Sequence, residues 1–469
     1  MQRQLTLVTD SSSGEASRPL ARALRGLSHR WQPALVTAAL GLTACNLLED
    51  PFKVEPPAEC DVASQNQFVL DVMGEFYLWN EDLPDDIDIS VYESPEAMVS
   101  DLRQGVDRWT RVSDKSTSDA LFMQGKFVGL GYKTQRGADD EVRVSFVSDN
   151  SPASAVNILR GDVIRGVNGY TAEELDADNS WSAAYGPNDP GVDVTLDVEH
   201  LATGEVETVT ITKAWIDIVS IPVASVVTSP AGSKIGYYIM DKFVETTKDE
   251  LESAYSMFKD NGVSTIVIDM RYNGGGLISV AERQINLTLG ADHNGDVAYT
   301  FKYNNNYSDE NRSTKIDKRS NSIGSDIIVV LTSSRTLSAS ELVINAMFPY
   351  AKVTLIGGPT GGKPVGSKSF EFCEKLLFPI TFRLTNAVGD TDYFDGLPAD
   401  CHADDDLFHQ LGDPQEGMLA AALNYLDDNA NCAAQPQPAP GLPPKLMQLD
   451  SVGETLLPNP IERFDVDSW

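Results

Sequence analysis

The sequence predicts an α+β chain of several domains, in which a helical region precedes a β domain and an α/β core. Apolar residues recur at helical spacing early in the chain, at Phe68, Val72 and Phe76. Alternation typical of strands follows, as in residues 142–147. Beyond these, short apolar runs alternate with amphipathic segments, the pattern of an α/β layer. We place the three regions at residues 62–125, 126–214 and 215–432.

Composition limits the function classes that need to be considered. The chain has 469 residues, 42% of them hydrophobic and 22% charged, which is ordinary for globular domains. Its formal net charge of −33 opposes binding to nucleic acid or to anionic lipid by electrostatic attraction. We therefore expect no nucleic-acid partner.

Residues 1–45 predict a lipoprotein signal peptide. Several arginines precede a short apolar run, Pro33–Leu42, that is too short for a stable membrane span. The run leads into Leu42-Thr-Ala-Cys45, which resembles a bacterial lipobox and implies lipidation of Cys45. An ordinary signal peptide, or a cysteine placed there by chance, is the alternative. The leader is long, so the true translation start could lie downstream of Met1.

The segments at the two ends of the mature chain predict a surface-tethered protein of the cell envelope. Residues 46–61 are acidic and contain prolines, as expected for a tether, and residues 433–469 form a proline-rich acidic tail. Export places the chain in the envelope or periplasm, with the lipid on Cys45 as its membrane contact. Asn46 is not the aspartate that often retains lipoproteins at the inner membrane, which favours the outer membrane.

Four cysteines remain after Cys45, an even number that suits an oxidising compartment. Three pairings are possible. We expect one bridge within the core and one that ties the ends together, namely Cys373–Cys401 and Cys60–Cys432. Four separate thiols are the alternative. No cysteine or histidine spacing indicates a metal, and we expect neither a metal nor a cofactor.

The β domain carries a recognisable order of motifs. Gly129-Leu-Gly131 comes first, then Ser151-Pro-Ala153, then Gly161-Asp-Val-Ile164 with an Asn-Gly hairpin signal after it. This order resembles a PDZ domain of the type found in bacterial proteases. The resemblance implies that Gly129, Leu130 and Gly131 bind a peptide's terminal carboxylate while the peptide adds a strand to the sheet. The alternative is a β domain that only packs against its neighbour.

The core begins with a glycine-rich turn after a buried strand. Residues 264–269 are apolar and β-branched, and they run directly into Met270-Arg-Tyr-Asn-Gly-Gly-Gly276. Glycines at such a position leave backbone N–H groups free to face a ligand or an oxyanion. A plain strand-end turn would look the same.

A second apolar run, residues 327–331, leads to Ser338 at the start of a predicted helix. Ser338 and Glu341 fit a capping box, which is reason enough for a serine at this place. A strand-to-helix turn can also present a nucleophile. The possibility that Ser338 is a nucleophile is strengthened by Lys363, which ends the turn Gly357-Gly-Pro-Thr-Gly-Gly-Lys363.

Four kinds of site could contain these residues. A P-loop would need serine or threonine where Pro364 stands, and a helix after it. An α/β-hydrolase elbow would need glycines in place of Thr336 and Ser340. A Ser-His-Asp triad would need a histidine, for which His293 is the candidate that the sequence leaves open. A Ser/Lys dyad needs a lysine whose ammonium form is disfavoured by burial, so that it can accept the serine proton.

The ordered set of motifs resembles the carboxyl-terminal processing peptidases, the tail-specific serine proteases of family S41, over about residues 62–427. The resemblance implies a ClpP/crotonase-like core, with Ser338 as nucleophile and Lys363 as general base. It places the oxyanion donors at Ala339 and at Gly274 or Gly275. The chain departs from the common family pattern at three positions, which are Pro349, Pro364 and Ser367.

The resemblance implies a serine endopeptidase that cuts protein substrates near their C-termini after the PDZ domain has captured the tail. A catalytically weak or inactive PDZ-bearing adaptor lipoprotein is the principal rival. A purely structural envelope lipoprotein is the third possibility, and it would bind no tail peptides.

Overall fold

The computed structural model describes residues 51–137 and 140–427. The predicted signal peptide, the predicted lipidation site Cys45, the first five residues of the tether (46–50), Cys432 and the proline-rich tail lie outside the described residues. The described residues from 54 onward belong to one compact unit. Within the described residues, no helix combines the length and the apolar character needed to cross a bilayer.

Three helices form the N-terminal region, as the apolar spacing predicts, but a strand that was not predicted lies between the second and the third. Asp61 and Ser94 cap the first two helices by accepting from backbone N–H groups, and Pro95 opens the second. The elements in order are α1 (Val62–Phe76), α2 (Pro95–Leu102), β1 (Arg111–Asp114) and α3 (Lys115–Phe122), with short 3₁₀ turns at Asn80–Asp82 and Ile89–Val91.

The middle region is the predicted β domain. Its elements are β2 (Lys126–Gly129), β3 (Tyr132–Arg136), β4 (Val142–Val147), α4 (Pro152–Ala155), β5 (Val163–Val167), β6 (Tyr170–Thr171), α5 (Ala172–Ala177), α6 (Trp181–Tyr185), β7 (Asp193–Glu199), β8 (Val206–Thr212) and β9 (Ala214–Asp217). The main sheet has the order β3-β4-β5-β7-β8, so β3 is an edge strand. The predicted Asn-Gly hairpin is confirmed, because Asn168 and Gly169 both have positive φ between β5 and β6.

The core comprises the remaining elements. They are β10 (Ala224–Thr228), β11 (Lys234–Ile239), α7 (Thr247–Asp260), β12 (Thr265–Asp269), α8 (Ile278–Leu289), β13 (Val297–Tyr303), β14 (Arg312–Lys315), β15 (Ile327–Thr332), α9 (Ala339–Met347), β16 (Lys352–Gly357), β17 (Val365–Ser367), β18 (Phe370–Phe372), β19 (Lys375–Phe378), β20 (Ile380–Asn386), β21 (Cys401–His402) and α10 (Gly417–Asp427), with a 3₁₀ segment at Asn305–Glu310.

A six-stranded sheet of order β10-β11-β12-β15-β16-β21 forms the centre of the core. Its strands from β11 onward are parallel, and only the β10–β11 pair is antiparallel. Helix α10 covers one face with Met418, Leu419 and Leu423, and Tyr238 meets Tyr255 of α7 on the other. A parallel sheet covered on both faces explains why its strands read as continuous apolar runs.

Two smaller sheets contain further core strands. The order β14-β13-β20-β17 consists of core strands only, whereas the order β1-β19-β18 joins the N-terminal region to the β18–β19 hairpin. The polar segment 304–322 is mostly exposed and contains β14. Its Asn304 side chain is buried and donates to the Tyr77 carbonyl at 2.9 Å.

The expected disulfides are wrong in both pairings. Cys60 is bonded to Cys373, with a Cα–Cα distance of 5.6 Å, so neither Cys60–Cys432 nor Cys373–Cys401 can form. The reason is the packing of α1 on the β18–β19 hairpin, where Phe68 stacks on Phe372 at 4.9 Å. The disulfide joins cysteines that are 313 residues apart, a proximity that sequence spacing alone does not reveal. Cys401 is itself disulfide-bonded.

Candidate active site

Three turns meet at one edge of the central sheet. The glycine turn follows β12, the Ser338 loop follows β15, and the lysine turn follows β16. These three strands are neighbours and parallel, so their carboxyl ends lie side by side. Segments distant in sequence are thereby brought together at the place where open parallel sheets usually bind ligands.

Ser338 occupies a strained turn. Its φ is +57° and its ψ is −113°, a conformation that a non-glycine residue rarely adopts. The turn is held by Asn273, whose backbone oxygen accepts from the Leu337 N–H at 3.1 Å and from the Ser340 hydroxyl at 3.0 Å. Strain that the surroundings enforce in this way is typical of a nucleophile turn rather than an ordinary helix start.

Glu341 joins the Ser338 turn to the lysine turn. Its carboxylate is fully buried, and the Oε2 atom accepts from the Ser338 N–H at 2.9 Å and from the Lys363 N–H at 2.7 Å. The Oε1 atom accepts from the Gly362 N–H at 2.8 Å and from the Thr360 hydroxyl. The predicted capping interaction is therefore present, and the same carboxylate also fixes the backbone of the candidate base. Burial raises the pKa of Glu341, although the four donors oppose that shift.

The glycine turn lies directly against Ser338. A Cβ atom added at Gly275 would stand 2.9 Å from the Ser338 Cβ and 3.0 Å from the Ala339 nitrogen. The Gly275 N–H donates to the Asn273 Oδ1 atom at 2.8 Å and is thus committed to holding the turn. Within the described residues, the backbone N–H groups of Gly274 and Ala339 donate no hydrogen bond. The geometry therefore favours Gly274 over Gly275 as the second oxyanion donor.

Lys363 is buried with only 1% of its surface exposed. Its Nζ atom lies 5.6 Å from the centre of the Trp109 ring, which comes from the N-terminal region. Trp109 is buried and lines the candidate site. Neither Trp109 nor the role of Glu341 toward Lys363 could be read from the sequence, because no short-range pattern connects these positions.

The candidate histidines are engaged elsewhere. The Nδ1 atom of His293 lies 3.2 Å from the Asp296 carboxylate, and its ring packs on Tyr350 at 4.7 Å. His200 faces Asp162 and Glu207 in the β domain. The P-loop interpretation is not supported, because the strand β17 follows Lys363 where a helix would be required.

The motif Gly129–Gly131 lines a cavity between the β domain and the core. Residues that line it include Gly129, Leu130, Gly131, Tyr132, Tyr185 and Lys213. The Lys213 ammonium is buried and donates to the backbone oxygens of Gly186 and Pro187 and to the Asn188 side chain. Burial lowers the pKa of Lys213. The cavity therefore combines backbone N–H groups, apolar walls and a buried cation.

Asp405 connects the β domain with the glycine turn. Its carboxylate accepts from Arg160 of the β domain at 2.6 Å, from Arg271 at 2.8 Å and from the Tyr272 hydroxyl. Burial alone would raise the pKa of Asp405, but the two guanidinium groups lower it to about 2. Arg271 and Tyr272 immediately precede the candidate oxyanion segment, so the network reaches the site from outside it.

A second contact links the two regions at the Ser338 loop. The Arg335 guanidinium donates to the Thr134 carbonyl on β3 at 2.9 Å. Among the described residues, no group of three or more histidine, cysteine, aspartate or glutamate side chains is arranged to hold a metal ion.

Two family models match parts of the chain. The model of Peptidase family S41 matches residues 234–391, and that of the Peptidase S41 N-terminal domain matches residues 64–111. The first includes the glycine turn, Ser338 and Lys363, and the second includes Trp109.

Curated relatives are similar over part of their length. The chain is 25% identical over 292 residues to the probable CtpA-like serine protease of Staphylococcus haemolyticus, a match that covers 61% of this chain and 54% of the relative. It is 28% identical over 287 residues to the corresponding Staphylococcus aureus (strain N315) protein, with the same coverage of 61% and 54%. The chain thus spans about half the length of the curated relatives it matches.

A solved structure shares the fold. The crystal structure named "Putative S41 protease from Bacteroides fragilis" superposes with a TM-score of 0.63 at 23% identity, over 80% of this chain and 99% of that one. The agreement extends beyond the core, since the superposition covers most of both chains. The chain therefore contains a Peptidase family S41 domain at residues 234–391 and a Peptidase S41 N-terminal domain at residues 64–111.

Proposed function

We propose that this protein is a serine endopeptidase in which Ser338 is the nucleophile and Lys363 the general base. The observation that carries the proposal is the Glu341 carboxylate, on which the backbone N–H groups of both residues meet. Such a clamp fixes the two turns relative to each other, as a reaction between their side chains requires.

The proposed reaction follows the acyl-transfer pattern. Neutral Lys363 takes the proton of the Ser338 hydroxyl as the oxygen attacks the scissile carbonyl carbon. The negative charge that develops on the carbonyl oxygen is stabilised by the N–H groups of Ala339 and Gly274. When the intermediate collapses, the C–N bond breaks and the Lys363 ammonium returns the proton to the leaving amine. Water then hydrolyses the acyl-enzyme by the same route.

The β domain, in this proposal, is a PDZ domain that captures the substrate's C-terminal tail. The backbone N–H of Val144 donates to the Asp162 carbonyl, and the Val144 C=O accepts from the Gly161 N–H. Both groups therefore face the β5 side. Its cross-strand partner on β3, Thr134, therefore directs its own backbone groups away from β4, to the outer edge of the sheet, where its carbonyl accepts from the Arg335 guanidinium. A tail added along that edge would replace the Arg335 contact and place its carboxylate at Gly129–Gly131.

Tail capture is tested with the Ser338→Ala variant, which should bind without cutting. Fluorescent peptides that end in an apolar residue are compared with a free and with an amidated C-terminus, by anisotropy. Recognition of the carboxylate predicts a Kd at least about tenfold lower for the free acid. Equal affinity for both peptides would rule out the proposed mode of capture.

An active-site serine probe distinguishes the proposed peptidase from its principal rival, an inactive adaptor. A fluorophosphonate should add its phosphonyl group to Ser338, detected by peptide mass mapping, and Lys363→Ala should prevent the addition. An adaptor would bind tails but show no adduct in the wild-type protein. Labelling that survives Lys363→Ala but is lost in His293→Ala would make histidine the base.

We further propose that the protein is exported and anchored to the bacterial envelope through a lipid on Cys45, with the outer membrane favoured. The sequence pattern Leu42-Thr-Ala-Cys45 supports this location. Cys45→Ser should abolish incorporation of labelled palmitate and release the protein from the membrane fraction. Unchanged membrane association of that variant would count against the anchor.

A further inference from the structure

Trp109 brings the N-terminal region into direct contact with the candidate base. The centre of its ring lies 5.6 Å from the Lys363 Nζ atom, within the range of a cation–π interaction. Trp109 is 3% exposed and Lys363 is 1% exposed, so the contact is shielded from water. An aromatic face is worth most to a cation in such a desolvated place.

The Trp109 ring is held in place by its own backbone and by the core. Asp107 accepts from the Trp109 N–H at 2.8 Å, and the Tyr77 hydroxyl on the far side donates to Asp107 at 2.8 Å. On the core side the indole packs on Phe394, with the ring centres 6.4 Å apart. The adjacent Thr110 hydroxyl accepts from the Ile380 N–H at 2.9 Å. The ring is therefore fixed before any substrate arrives.

Other charged and titratable groups near Lys363 come from each neighbouring element. The Arg108 guanidinium lies 5.0 Å from the same Trp109 ring and 3.5 Å from the Gly361 carbonyl. Glu341 accepts from the Lys363 N–H, and the buried Tyr393 interacts electrostatically with Glu341. On β20, the Arg383 guanidinium lies 5.3 Å from the Phe394 ring. These groups are common to all the variants used below, so differences between variants report on the aromatic face.

We propose that Trp109 is a positioning residue for Lys363, which it holds toward Ser338 while it stabilises the ammonium that forms during proton transfer. The inference rests on the proposed function, since it assigns Lys363 as the base. A lysine side chain has four rotatable bonds and must return to one position in every catalytic cycle. A fixed aromatic face provides that position, and it acts where positive charge develops.

The consequence is that neither matched region suffices for catalysis. The nucleophile, the base and the oxyanion donors lie in residues 234–391, whereas the group that positions the base lies in residues 64–111. The purely structural alternative is that Trp109 only fills the core, in which case its loss would lower stability without changing how activity depends on pH.

The test compares Trp109→Leu, Trp109→Phe and a control, Tyr425→Leu. The control removes a lysine–aromatic contact of similar length outside the site, because Lys352 lies 5.2 Å from the Tyr425 ring. Cleavage of fluorescein-labelled, unfolded casein gives kcat/KM from about pH 5 to 10, and thermal unfolding gives Tm. Ser338→Ala is measured in parallel, and activity that survives in it overturns both the proposed function and this inference.

Trp109→Leu should lower kcat/KM by at least about tenfold at its optimum, and Trp109→Phe should recover most of that loss. An aromatic face stabilises the ammonium, so its removal should move the acid limb of the profile to lower pH by roughly half a unit or more. If Trp109→Leu fails to fold, Trp109→Phe alone decides, because its weaker quadrupole should give a smaller shift in the same direction. An acid limb identical to those of wild type and Tyr425→Leu, with only Tm reduced, overturns the inference.

Discussion

At the scale of single residues, the turn that carries Ser338 is maintained by groups other than the proposed nucleophile and base. Ser338 has a positive φ, and Asn273 and Glu341 hold the turn from two sides. The free energy that this conformation costs, about 1–3 kcal/mol for such backbone strain, is supplied by buried hydrogen bonds around it. Changes to these supporting groups should therefore affect activity as strongly as changes near the substrate.

Glu341→Gln tests this support. An amide offers one acceptor oxygen instead of two, so at least one of the N–H groups of Ser338, Gly362 and Lys363 would face an NH₂ group. We expect a loss of stability of about 1–3 kcal/mol in urea unfolding and a fall of kcat/KM by about a hundredfold or more.

A matched control exists on another helix. Glu174 and Thr171 form the same capping box at the start of α5, on the surface of the β domain. Glu174→Gln should cost at most about 1 kcal/mol and leave kcat/KM near the wild-type value. If the two glutamine variants behaved alike, Glu341 would be only a helix cap.

Gly275→Ala tests the close approach of the glycine turn to Ser338. The new Cβ would lie 2.9 Å from the Ser338 Cβ, so the two turns would have to separate. We expect kcat/KM to fall by about a hundredfold or more, because a displacement of roughly 1 Å at the reacting atoms can have that effect.

The control variant Gly295→Ala separates the effect of steric crowding from the effect of backbone strain. Gly295 has a φ of +93°, similar to the +109° of Gly275, but nothing lies within 4 Å of a Cβ placed there. It should lose stability without losing the catalytic rate of the folded enzyme. A comparable loss of kcat in both variants would contradict the close-approach argument.

At the scale of elements, the sequence predicts the segments that carry the site better than the contacts between them. The apolar runs before the glycine turn and before Ser338 appear as the adjacent parallel strands β12 and β15. The order of strands and glycines in the sequence was therefore sufficient to predict the segments that bring Gly274 and Ser338 together. Strand β1 was missed, because its partner β19 lies more than two hundred residues away and neither segment has strong alternation.

The disulfide shows the same limit and leads to a further prediction. Cys60–Cys373 ties α1 to the β18–β19 hairpin and closes a loop of 313 residues. Replacing both cysteines with serine should lower the free energy of unfolding by about 2–5 kcal/mol. Urea titration measures the loss, and limited proteolysis should show earlier cutting in residues 54–111. A double variant as stable as wild type would mean that α1 is held by its aromatic contacts alone.

At the scale of the whole molecule, Asp405 joins the β domain to the core. The carboxylate meets guanidinium groups from both, Arg160 on one side and Arg271 on the other. No local sequence pattern marks Asp405, because its partners lie more than a hundred residues before it. The sequence could thus predict many of the strands and helices but not the network through which the β domain and the core meet.

The Asp405→Asn variant tests how much that network contributes to the free energy of unfolding. Because the pKa of Asp405 is lowered from 3.8 to about 2 in the folded protein, its ionised form contributes stability above about pH 4 that is lost as the pH falls toward 2. The variant should therefore be about 2 kcal/mol less stable at pH 7, and its stability should fall less steeply between pH 5 and 2. The neighbouring Asp404→Asn is the control, since that side chain is 93% exposed. Equal effects of the two changes would contradict a role for the buried network.

The central claim is that Ser338 cleaves peptide bonds, and the most direct test is mass spectrometry of an unfolded protein substrate incubated with purified enzyme. Wild type and Ser334→Ala, a change to an exposed serine in the same loop, should both yield shortened products. Ser338→Ala should yield none while it keeps the wild-type Tm. Cleavage by a folded Ser338→Ala protein at the wild-type rate would contradict the account.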